Sequence, residues 1–149
     1  MDTKEFKITI SAPAEKVWRS LWDDNSYKQW TSAFTEGSRA ETDWQEGSKV
    51  LFLDTNNDGM SSVIAKKMPD KYMSFKHMGS VKKGVEDCND PADDAWRGAH
   101  ENYILEKVDG GTELTIELET KGMPADMLDY FMATWPKALD KLKELVEKG

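Results

Sequence analysis

The last stretch of this chain constrains its fold more than any other. Between Pro124 and Lys148 the apolar residues Leu128, Phe131, Met132, Trp135, Leu139, Leu142 and Val146 recur every three or four positions. That is the stripe of a helix with one buried face. Asp129, Lys137, Asp140, Lys141, Lys143, Glu144, Glu147 and Lys148 take the other face. Pro124 suits the first turn, where no amide donor is needed. At ~1.5 Å per residue the helix is a rod of roughly 37 Å, enough to cross a small domain. Pro136 sits inside it. It cannot donate to the carbonyl of Met132 and its ring clashes there, which predicts a kink near Trp135.

Everything upstream has to pack against this rod, and its period is mostly two. Phe6, Ile8 and Ile10 alternate with polar residues, so residues 4–11 read as a half-buried strand. Ser11, Ala12 and Pro13 supply a cap and an early proline. Val17, Trp18, Leu21 and Trp22 follow at helical spacing, and Tyr27 to Trp30 suit one further turn. Strands are then expected near 38–45, 48–55, 60–68, 71–79, 96–108 and 112–121. Turn chemistry separates them at Glu46-Gly47, Asn57-Asp58-Gly59, Pro69-Asp70 and Asp109-Gly110-Gly111. Residues 80–95, with Glu86, Asp87, Asp90, Asp93 and Asp94, read as an exposed loop.

The order is strand, one or two short helices, about six strands and one long helix. It predicts an α+β fold: a curved antiparallel sheet of six or seven strands around the C-terminal helix. Residues 1–149 fit one domain. A net charge of −8 with only 27 Leu, Ile, Val and Phe would suggest disorder, but six Trp, eight Met and four Tyr can fill a core. A curled sheet and a rod seldom mate along their whole length, so a gap between them is expected. Its candidate walls are Phe52, Phe75, Tyr103, Leu114, Ile116, Leu128, Phe131 and Trp135.

The sequence itself carries a resemblance. The run Ile8-Thr9-Ile10-Ser11-Ala12-Pro13-Ala14-Glu15-Lys16-Val17-Trp18 resembles the opening of START-like (SRPBCC superfamily) proteins. The region of Trp30 and the run Gly110-Gly111-Thr112-Glu113-Leu114-Thr115 are similar to the same superfamily. Trp135-Pro136 followed by Leu139, Leu142 and Lys143 resembles the branch named for homologues of the heat-shock-protein-90 ATPase activator. The resemblance covers nearly the whole chain, as a stand-alone domain of the activator's C-terminal type. It implies the helix-grip fold and a cavity between sheet and long helix, used across the superfamily for lipids, sterols, polyketides and other apolar molecules.

Motif chemistry adds little. Asp54-Thr55-Asn56-Asn57-Asp58-Gly59 imitates the start of a calcium loop, but the twelfth position is Ala65, which has no carboxylate; a hairpin turn is expected and no metal. His77 and His100 are the only histidines. A Ser-His-acid set would need one of them beside a nucleophile, and no Gly-x-Ser-x-Gly marks one. Cys88 stands alone among acids, the setting of an unreactive thiol. The acidic segment 86–94 reads as a solvated face, or more sharply as a lid over the cavity mouth or a docking patch for a basic partner.

The expected function is a binding module for an apolar small molecule, with His77, Tyr103 or His100 orienting it. Alternatives are a cyclase- or aromatase-type enzyme in the same cavity, and a chaperone-stimulating or stress-linked interaction protein. Neither a catalytic residue nor a cofactor is expected. The acidic balance argues against nucleic acid, and no stretch has the ~20 apolar residues that cross a bilayer. A cytoplasmic monomer is the simplest expectation.

Overall fold

The computed structural model describes residues 3–148. Strand β1 (Thr3–Ile10) leads into helices α1 (Ala14–Trp22) and α2 (Asp24–Thr31). Seven strands follow: β2 (Arg39–Glu41), β3 (Lys49–Leu53), β4 (Gly59–Met68), β5 (Tyr72–Lys82), β6 (Val85–Asp87), β7 (His100–Val108) and β8 (Gly111–Glu119). The last element is α3 (Ala125–Lys148). The strands form one antiparallel sheet in the order β1-β8-β7-β5-β4-β3-β2, with β6 paired to the far end of β5.

The expected six or seven strands become eight because residues 80–95 are not all loop. β5 runs on to Lys82 and turns back as β6. Lys83 and Gly84 both take left-handed backbone (φ 50° and 83°), the conformation of a two-residue hairpin. The side chains of β6 are exposed and mostly acidic, so no hydrophobic alternation betrays the strand. The strands predicted at 38–45 and 96–108 shrink to Arg39–Glu41 and His100–Val108. Two register shifts interrupt the β4–β5 ladder. At one, Ser61 pairs with Gly79 and Ser62 with His77, leaving Met78 as the extra residue. Such bulges add twist and bend the sheet.

Helix α3 is seated on this sheet only in part. Thr134, Trp135, Ala138, Leu139, Leu142 and Val146 are buried. Upstream of them, Leu128 and Phe131 are half-buried, and Met132, placed on the apolar stripe by its spacing, is 42% exposed. Pro136 lies near the boundary, and α3 remains one helix across it. The last turns are tied down at the β1–α1 corner. Lys143 Nζ donates to the Thr9 carbonyl at 2.8 Å, and the Ser11 amide donates to Glu147 Oε2 at 2.8 Å. Ser11 is therefore bound to α3 rather than capping α1, whose N-cap is Pro13.

The buried half of α3 meets a core of Ile10, Val17, Leu21, Trp30, Leu114 and Ile116. Trp22 packs edge-on against Phe75 (5.4 Å between centroids) and Tyr103 (4.8 Å). This seals the sheet's inner face at one end and leaves the other end open.

Candidate functional site

Between the unseated half of α3 and the open end of the sheet lies a cavity of about 380 Å³. Its apolar wall comes from three directions. Tyr27, Trp30 and Phe34 arrive from α2 and the turn after it, Phe52, Tyr103 and Leu118 from the sheet, and Phe131 and Trp135 from α3. Trp135 joins the three parts, with ring centroids 4.9 Å from Phe34, 6.0 Å from Tyr103 and 6.1 Å from Trp30. These are the separations of edge-to-face and offset aromatic pairs, which hold rings in fixed orientations. Exposed side chains, Thr35, Met127 and Tyr130 among them, form part of the lining and open it to solvent. The Tyr130 hydroxyl donates to the Phe34 carbonyl and so ties the start of α3 to the loop after α2.

One end of the cavity is polar, and the strand register explains why. Ser62 is the cross-strand partner of His77, and Glu101 shares a strand face with Tyr103 two residues on. The His77 amide donates to the Ala99 carbonyl, which makes Glu101 the diagonal neighbour of His77. The side chains complete a chain of contacts. Ser62 Oγ lies 2.7 Å from His77 Nδ1, His77 Nε2 lies 3.4 Å from Glu101 Oε1, and the Tyr103 hydroxyl donates to Glu101 Oε2 at 2.5 Å. A second pair stands beside it, with His100 Nδ1 2.9 Å from Glu119 Oε1.

The first chain contains a serine, a histidine and a carboxylate, but it is not a nucleophilic triad. Ser62 is 1% exposed and absent from the lining, whereas His77 and Glu101 line the cavity. A ligand would meet the imidazole and the carboxylate, with the hydroxyl behind them fixing the ring. Burial, and then the charge of Glu101, push the hydroxyls of Tyr27 and Tyr103 well above the usual tyrosine range. Both phenols remain neutral donors. For Glu119, burial acts upward, but hydrogen bonds from His100 outweigh it and hold the carboxyl below its usual value.

Of the residues expected in the cavity, Phe52, His77, Tyr103, Phe131 and Trp135 line it. Phe75, Leu114, Ile116 and Leu128 do not. Phe75, Leu114 and Ile116 are fully buried: they share the inner face but belong to rungs already covered by Trp22, Trp135 and the seated half of α3. Leu128 is half-buried on the unseated half of α3. Trp96 lines the cavity, while Trp44 packs on Trp22 at 5.2 Å. No residue of the acidic segment 86–94 lines the cavity, so it does not serve there as a lid. Asp93 accepts from Ser80 at 2.8 Å and Asp94 pairs with Arg97, which pins the segment to β5. Glu101, Glu119, Tyr27 and Phe34 were not legible as site residues. For Glu101 a signal existed, the alternation Glu101-Asn102-Tyr103, but the inward face of the strand was undetermined. In the Asp54–Gly59 turn, Asp54 Oδ1 accepts the amides of Asn56 (2.8 Å) and Asp58 (3.1 Å), an Asx turn that closes the β3–β4 hairpin.

A curved antiparallel sheet that grips a long C-terminal helix, with a cavity where the grip is incomplete, defines the helix-grip class. The chain belongs to the family described as Activator of Hsp90 ATPase homolog 1-like protein, whose model matches residues 11–147. Its fold is similar to the Aha1 dimer from Colwellia psychrerythraea, at 22% identity over 99% of this chain and 97% of that one, with a TM-score of 0.77. It is also similar to CalU16 from Micromonospora echinospora, at 20% identity over 97% and 75% of the two chains, with a TM-score of 0.66. A third is DynU16, from the dynemicin biosynthetic locus, at 15% identity over 99% and 48%, with a TM-score of 0.72. No curated protein matches the chain in sequence. No helix among the described residues is long and apolar enough to cross a membrane.

Proposed function

We propose that this protein binds an apolar small molecule between the sheet and the first half of α3. The observation that carries the reading is the cavity itself. About 380 Å³ of space is lined by nine aromatic residues and bounded at one end by His77, Glu101 and Tyr103. Sites for small molecules are mostly apolar, with a few convergent polar groups that fix orientation. Burial of the ligand's apolar surface would drive binding, at about 25 cal/mol per Å² before the cost of association. The polar chain would fix which end of the ligand enters first. Likeness in fold to DynU16, from the dynemicin biosynthetic locus, fits a small-molecule role.

A second reading is favoured by one observation, that both histidines of the chain line the cavity. His77, held between Ser62 and Glu101, has the setting of a general acid–base. A cyclase-type reaction would use it to move a proton at a ligand hydroxyl or enol. Native mass spectrometry of freshly purified protein, with its organic extract analysed in parallel, tests the first reading. A stoichiometric apolar adduct is expected. A clean apo mass, with no amide shifts near Phe131 or Trp135 on titration with pooled lipids and aromatics, would overturn it.

A further inference from the structure

The wall of this cavity has a sign as well as a shape. Four carboxylates line it (Asp54, Asp58, Glu101 and Glu119), along with two histidines, and no Lys or Arg does so, although the chain carries 20 of those cations. Asp54 and Asp58 lie at the β3–β4 turn and hold backbone there and in the adjoining β5–β6 turn. They accept backbone amides from Asn56, Asp58 and Lys83, and the Arg39 guanidinium lies against the Asp54 carbonyl.

Glu101 and Glu119 stand beside the two histidines and keep acceptor capacity there. An ionised carboxylate has about four lone-pair sites. Glu101 uses one for the Tyr103 hydroxyl and one toward His77. Glu119 receives both the His100 amide (2.7 Å) and His100 Nδ1 on Oε1, and no described residue donates to its Oε2. Among the lining residues only His77 and His100 oppose these carboxylates, and the rings of Tyr103 and Trp135 line the same cavity. An anionic ligand would meet like charge here, whereas a cation would meet carboxylates and electron-rich rings together.

We propose that the cavity's ligand is an organic cation, an apolar aromatic-sized body whose amine lies at the Glu101–Glu119 end. The proposal rests on the small-molecule reading above and sharpens it. It separates this cavity from one built for fatty acids, whose carboxylate needs an Arg, Lys or free amide at the same place.

The test is a matched set of probes with one ring system and three head groups: 2-naphthylmethylamine, 2-naphthalenemethanol and 2-naphthoic acid. Each is titrated by calorimetry near neutral pH into the full chain, into Glu101→Gln and into Glu119→Gln, with folding of each variant checked by circular dichroism. In the unmodified protein the amine should bind about tenfold tighter than the alcohol, with the acid weakest. The amine-to-alcohol ratio should fall toward parity in Glu101→Gln. Glu119, on the half-exposed rim, supplies a second variant should the first fail to fold. Equal affinity for amine and alcohol, or tightest binding of the acid, would overturn the cation while leaving a binding cavity. An amine preference that survives both substitutions would overturn the role of these carboxylates. No binding of any probe at millimolar concentration would overturn the cavity reading along with it.

Discussion

Tyr103 is where the core and the cavity meet. It is buried at 3% exposure, pairs across the sheet with Ile116, touches Trp22, and donates its hydroxyl to Glu101. A hydrogen bond to a charged group contributes about 1.5–3 kcal/mol net. Tyr103→Phe keeps the ring and removes the donor, so it should lower stability in urea by that amount. A loss under about 0.5 kcal/mol would mean that Glu101 turns to water without cost. His77 illustrates what a residue gains from tertiary placement. It has no motif around it, yet a bulge at Met78 and the register of β4 bring Ser62 to one ring nitrogen and Glu101 to the other.

Helix α3 does two jobs with its two halves. From Thr134 on it is an ordinary core helix, and before that it roofs a cavity. Leu142→Ala removes a fully buried side chain and should cost about 2–5 kcal/mol. Met132→Ala, on the same predicted stripe, should stay within about 0.5 kcal/mol, because the side chain is exposed. Similar losses in urea melts of the two variants would contradict the half-seated helix. Pro136 separates the halves. An interior proline costs a helix about 3 kcal/mol, against a gain of up to about 1 from a stiffer unfolded chain. Pro136→Ala should therefore raise stability by about 2 kcal/mol, read as a higher urea midpoint. A lower midpoint would show that Pro136 is needed to seat Trp135.

At the scale of the whole molecule, the shifted groups set a window of stability in pH. Hydrogen bonds from Ser61 and Lys49 lower the carboxyl of Glu86 from 4.5, and His100 outweighs burial to lower that of Glu119 from the same value. The unfolded chain takes up these protons first as pH falls. The stability they contribute is full above about pH 4.5 and is lost as pH falls through the folded values. Tyr27 and Tyr103 have the opposite sign. Burial raises them above 10.0, so stability present below that value is lost as pH rises through the folded values. Urea midpoints should form a plateau between these limits, and Glu86→Gln should flatten the acid side. An unchanged acid limb would place the linkage elsewhere.

The sequence by itself determined most of the elements and the architecture they can build. The stripe of α3, the alternation in β1 and β8 and the turn residues are local properties, fixed by side-chain period and backbone preference. Two local features failed to show: β6, whose exposed acids carry no pattern, and the cap of α1, which Ser11 does not supply. Only the tertiary structure decided the cavity. Whether Phe75 or Phe52 reaches it depends on how far Trp22 and Trp135 cover the inner face. Whether Glu101 stands beside His77 depends on register across β5 and β7. Both are relations between residues far apart in the chain, set by packing that no single segment encodes.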